Sequence, residues 1–141
     1  MNKVVISIRI NHPSWPVDKI TSLMKCAPEI GRSVGEERRT PTGIKLDGKN
    51  PETHWIKSLD YEGDSLPRAI EKAILEFGSQ STAGREIRES GGNVEFFIGW
   101  FFKKNGGDIL PAELLGRLAG LGIDLSFDIY GPEVRMVTGK P

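Results

Sequence analysis

The chain has 141 residues, 38% of them hydrophobic and 27% charged, which suits one globular core and not a disordered chain. Nineteen Lys and Arg balance nineteen Asp and Glu, so the formal net charge is zero. That removes the simplest electrostatic case for a nucleic acid or an anionic membrane as partner.

Residues 3–11 (KVVISIRIN) alternate, with Val4, Ile6, Ile8 and Ile10 on one side and Val5, Ser7 and Arg9 on the other. A period of two with β-branched residues predicts a strand with one buried face. Val17, Ile20, Leu23 and Met24 then recur at helical spacing, with Pro16 suited to the first turn and Pro28 as the stop.

Residues 27–54 read as a long irregular loop. They hold Gly31, Gly35, Gly43, Gly48, Pro41 and Pro51, with few aliphatic anchors and charges that cancel. Such a segment in a compact domain is usually functional or mobile.

Residues 54–59 (HWIKSL) predict a short strand. Asp64 or Ser65 caps the next helix, which has Pro67 in its first turn and Gly78 as its stop. Leu66, Ile70, Ala73, Ile74 and Phe77 form its apolar stripe. Residues 82–90 predict a small polar helix that buries little beyond Ile87.

Residues 93–102 (NVEFFIGWFF) are the strongest strand in the chain. They are apolar on both faces, as a central strand is. Pro111 opens a helix carrying Leu114, Leu115, Leu118 and Leu121, closed by Gly122. Gly116 and Gly120 leave one face of it bare, open to close approach by other backbone. In residues 123–130 (IDLSFDIY), Ile123, Leu125, Phe127 and Ile129 point in, while Asp124, Ser126, Asp128 and Tyr130 point out. The tail 131–141 has only Val134, Met136 and Val137 as anchors and is expected to be loose.

This order predicts a single α+β domain over 1–141. Its mixed or antiparallel sheet has about four strands, with helices on one face, in a ferredoxin-like βαβ–βαβ order. In that arrangement the first and last strands pair antiparallel, and Arg9 forms an ion pair with Asp128.

Several stretches resemble a bacterial family catalogued as domain of unknown function 4279. The C-terminal LPAELLGRLAGLGIDLSFDIYG is similar to its helix followed by an “IDxxxDIY” ending. DKITSLM, the N-terminal alternating strand and Trp55 agree with it, and the likeness spans about residues 3–131. The resemblance implies a small α+β domain of cytoplasmic bacterial type. It implies no established activity and no catalytic residue. The Gly-, Arg- and Glu-rich stretch at 31–50 departs from the family pattern.

Cys26 is the single cysteine, so no intrachain disulfide and no CxxC motif exist. No apolar run has the length of a signal-peptide core or a membrane span. A reducing cytoplasm is the expected location.

Gly63-Asp64-Ser65-Leu66 spells the nucleophile block of GDSL hydrolases, but a serine nucleophile needs a histidine base. His12 and His54 are the only histidines, so helix capping is the expected role of Ser65. His12, Cys26 and His54 match no zinc-ligand spacing, and no metal or cofactor is expected. Gly31, Arg32, Gly35, Arg38 and Arg39 can hold an anion in principle; Glu36 and Glu37 oppose one, and a solvated loop is expected instead. Phe97, Gly99 and Phe101 face away from the main core stripe. RNA stacking is the minor reading of that surface; cover by the long loop, or a protein or dimer contact, is favoured.

The expected function is a non-enzymatic protein-binding module of regulatory or immunity type, with Arg9, Arg38, Trp55, Phe97, Phe101, Asp128 and Tyr130 at its surface. The expected partner is another protein, with a homodimer possible and no nucleic acid. The alternatives are a small-molecule sensor with its pocket between loop and sheet, and, behind it, a Ser65 hydrolase.

Overall fold

The computed structural model describes residues 2–132. The expectation of a loose tail lies, from residue 133 on, outside the described residues.

The alternating N-terminal segment forms β1 (Lys3–His12), followed by α1 (Val17–Met24). Three short strands come next: β2 (Ile30–Arg32), β3 (Glu37–Arg39) and β4 (Lys45–Lys49). After them run β5 (Thr53–Ser58), α2 (Leu66–Phe77) and α3 (Ala83–Glu89). The chain continues through β6 (Asn93–Phe101), α4 (Ala112–Leu121) and β7 (Ile123–Tyr130). The main sheet has five strands in the order β2-β5-β1-β6-β7, while β3 and β4 pair as a separate hairpin.

This order differs from the ferredoxin-like one. The first and last strands are not neighbours, because β6 stands between them, antiparallel to β1 and parallel to β7. A strand apolar on both faces gains most with a neighbour on each side, and β6 takes both. The crossover through α4 then returns β7 parallel to β6, the connection that parallel pairing requires.

The segment 27–54 is also more regular than its composition suggests. Ile30 pairs with Ile56, so β2 extends the main sheet. The hairpin turns at Thr40-Pro41-Thr42-Gly43, where the Gly43 N–H donates to Thr40 O at 2.9 Å. Proline second and glycine fourth in a turn is a recognised signature. The strands beside it have no apolar alternation to reveal them.

The helices all pack on one face. There Ile6, Ile8, Ile10, Phe96 and Ile98 from the sheet meet Ile20, Ile70, Ile74, Ile87 and Leu118, all of them buried. Ser65 caps α2 as its position predicts, its hydroxyl accepting the Arg68 N–H at 3.4 Å. α1 ends before Pro28: Lys25 adopts a left-handed φ of 61° and its N–H donates to Thr21 O.

The close backbone approach comes from a glycine other than those expected. Gly116 and Gly120 face open space, whereas a Cβ on Gly84 would strike the carbonyl oxygen of Leu121. α3 is thus laid directly against the end of α4. The inward residues of β7 lose cover along the strand, from buried Ile123 to Ile129 at 58% exposure. α4 precedes β7 and shields only its start.

Candidate functional site

Among the described residues the second face of the sheet carries no helix. The register places Lys3, Val5, Ser7 and Arg9 of β1 beside Phe101, Gly99, Phe97 and Glu95 of β6. Asp124, Ser126, Asp128 and Tyr130 of β7 continue those rows. On the other flank, Ile56 of β5 and Ile30 of β2 extend the Arg9 row.

Two stacked pairs organise this open face. The Arg9 guanidinium lies 3.7 Å from the centre of the Phe97 ring. The rings of Phe101 and Tyr130 stack at 4.6 Å, 5° from parallel. Gly99 makes room for the second pair, because the Phe101 ring leans into the space a Cβ would enter. The Tyr130 hydroxyl donates to Asp128. That bond and the carboxylate charge raise the phenol pKa above its ordinary 10.0.

Arg9 and Asp128 do not meet. Arg9 is level with Glu95, and Asp128 with Gly99, one strand further across and four residues further along β6. Among the described residues Arg9 makes no ion pair, and its Nε is buried without a hydrogen-bond partner. Its guanidinium is stacked on a ring and unclaimed by an acid.

The expected surface therefore assembles in part. Arg9, Phe97, Phe101, Asp128 and Tyr130 share the open face. Trp55 does not: it sits on the helix side, fully buried, with its Nε1–H donating to Thr21 Oγ1 at 3.1 Å. Residues of a strand alternate between faces, and Trp55 pairs with inward Ile10. Arg38 lies on the β3–β4 hairpin, donating to Asp47 O at 3.0 Å.

A family model described as Domain of unknown function (DUF4279) matches residues 2–132. The chain belongs to the DUF4279 family. No curated protein and no solved structure matches it.

The other candidate residues of this DUF4279 domain have structural roles. Val4 N–H donates to Gly63 O, which places the Gly63–Leu66 stretch at the start of β1. His12 closes that strand, and His54 pairs with Asn11 beside it. Seven to eight residues of strand, roughly 23–26 Å, run from Val4 to the level of the two histidines. Ser65 has no histidine base.

His12 was missed as a structural residue. Its ring is fully buried and stacks on Trp15 at 4.5 Å. Nδ1 accepts the N–H groups of Ser14 and Trp15 at 3.0 and 2.9 Å, so Nε2 carries the proton and donates to Ser90 Oγ at 2.8 Å. Burial, and then the charge of Lys19, lower its pKa. The only trace in the sequence is a histidine at an inward position of an alternating strand.

A groove of about 840 Å³ runs between β2 and the hairpin, lined by Glu29, Arg32, Glu37, Arg39 and Lys49 among others. Arg39 is held there by Glu37 at 2.8 Å and by Gly43 O. Two of the three arginines weighed as an anion cradle, Arg38 and Arg39, are thus engaged within the hairpin. Among the described residues no three His, Cys, Asp or Glu side chains are grouped to hold a metal, and no helix is long and apolar enough to cross a membrane.

Proposed function

We propose that this domain is a non-enzymatic protein-binding module whose working surface is the open sheet face. One observation carries the reading: among the described residues a five-stranded sheet packs helices on one side only, and the other side is furnished with Arg9, Phe97, Phe101 and Tyr130. Arginine and aromatic residues are the side chains that dominate binding energy at protein interfaces. Val5 at 42% and Tyr130 at 47% exposure supply apolar area between them. The rings suit a protein better than a base, since one side of each is covered, Phe97 by Arg9 and Phe101 by Tyr130.

A module of this kind acts by occupying a partner, as a regulator or an immunity-type protein does. A reducing cytoplasm suits its single free cysteine, Cys26. The test is affinity capture from the native cell with Arg9→Ala and Phe101→Ala beside the unaltered chain. A protein captured by the unaltered chain and lost with both variants supports the reading. A protein retained by both variants overturns the assignment to this face.

A second reading is favoured by the groove between β2 and the hairpin, whose volume suits a small molecule. Binding to the native state alone raises stability. A metabolite that lifts the melting temperature, with the lift lost in Arg32→Ala, supports a sensor role.

A further inference from the structure

Among the described residues, Arg9 and Asp128 on the open face have no ion-pair partner, as is also true of Lys3 and Glu95 in the same rows. Arg9 rests on Phe97 with no carboxylate, and Asp128 accepts only the Tyr130 hydroxyl among the described residues. The fold keeps Arg9 and Asp128 apart, because β6 separates their strands.

We infer that the occupant of this face is a second copy of the chain, packed sheet to sheet about a two-fold axis, with Arg9 of each copy on Asp128 of the other. The inference rests on the docking role proposed above and names its partner.

The positions suit such a contact. In a two-fold interface, if residue i faces residue j, then j faces i. An Arg9–Asp128 contact between copies therefore occurs twice and yields two ion pairs. The guanidinium lies over Phe97, and Phe97 is level with Ser126 on β7, two residues before Asp128. The axis then falls at the centre of the quartet Phe97, Gly99, Ser126 and Asp128. The small residues Gly99 and Ser126 occupy the crossing diagonal, where the two copies come closest. The Phe101 ring, leaning over Gly99, brings apolar contact to that line. Packed sheets lie about 10 Å apart, a gap that arginine and tyrosine side chains from both copies fill. Zero net charge removes long-range repulsion between copies.

Edge pairing is the competing route to a dimer, since β7 ends the sheet. An antiparallel β7–β7 pair centred on Ser126 would set Asp124 opposite Asp128 twice. Like charges directly opposite are destabilising. Asp124 is already engaged by Arg88 at 2.6 Å, whereas Asp128 has no cation among the described residues. The face is the better contact.

The experiment is sedimentation equilibrium of the full chain over a range of concentrations, at low salt and at high salt. The expected result is a dimer whose association weakens at high salt. Arg9→Asp and Asp128→Arg should each weaken it at least tenfold while leaving the circular dichroism spectrum unchanged. An equimolar mixture of the two variants should restore the dimer, because each then offers the charge the other lacks. The double variant R9D/D128R should dimerise alone. Should Arg9→Asp fail to fold, Asp128→Arg on the edge strand carries the same test. A monomer at every concentration overturns the inference, as does a dimer indifferent to both reversals. If the chain is monomeric yet Arg9→Ala abolishes capture of another protein, the second copy is wrong and the docking face stands. If capture also survives Arg9→Ala and Phe101→Ala, the docking face falls with it.

Discussion

Arg9 and Phe97 stack across the β1–β6 pair at 3.7 Å, in preference to an ion pair between Arg9 and Glu95, its neighbour in register. The stack fixes a long flexible side chain flat on the sheet and displays its charge. A double-mutant cycle on Arg9→Ala and Phe97→Ala should give a coupling of about 0.5–2 kcal/mol in chemical denaturation. A coupling near zero would mean that the guanidinium does not rest on the ring in solution.

Gly84 and Gly116 should respond to alanine in opposite directions. Gly84→Ala drives a methyl group into the Leu121 carbonyl and should cost about 1–3 kcal/mol or more. Gly116→Ala meets only open space within α4 and should stabilise by roughly 0.5–1 kcal/mol, through helix propensity. Urea midpoints of the two variants check both signs.

Stability should fall as the solution is acidified through the histidine range. The folded chain keeps His12 neutral, with its pKa lowered from 6.5, while the unfolded chain takes up a proton near 6.5. Protons therefore favour unfolding. The contribution is complete above pH 6.5 and is lost as the pH falls through the lower native value. His12→Ala should flatten this part of the profile. It should also cost about 1–3 kcal/mol at pH 7.5, by leaving the N–H groups of Ser14 and Trp15 unpaired. An unchanged slope in that variant would assign the pH response elsewhere.

Tyr130 should ionise above pH 10.0, since Asp128 raises its pKa. Asp128→Asn removes the charge and should return one of the two tyrosines toward the ordinary value. Ultraviolet titration of phenolate absorbance reads this directly. Identical curves for the two proteins would show that the Asp128–Tyr130 bond is not kept in solution.

The local elements were legible in the residues. The alternation in β1, β6 and β7 and the stripe of α2 depend on side-chain period, and period is local. The sides of the sheet followed too, so Arg9, Phe97, Phe101, Asp128 and Tyr130 were assigned together to one surface. Trp55 was placed wrongly because a six-residue strand with one apolar residue on each face, Trp55 and Ile56, does not declare its inner face. Strand order decides that, through the pairing of Trp55 with Ile10. The β3–β4 hairpin escaped for a different reason. Its strands are exposed and charged, so no burial pattern exists to read, and only its turn residues marked it.

What belongs to neighbouring residues was thus settled by sequence: periodicity, the Ser65 cap, the left-handed Gly122 stop and the absence of a cysteine pair. Non-local partnership was settled only by the tertiary structure. It put β6 between β1 and β7 and so kept Arg9 from Asp128. It brought Ser90 to His12 and the Leu121 carbonyl to Gly84, and among the described residues it left one sheet face without a helix. Strand order depends on which distant segments bury the most surface together, a property of the whole chain that no window along it contains.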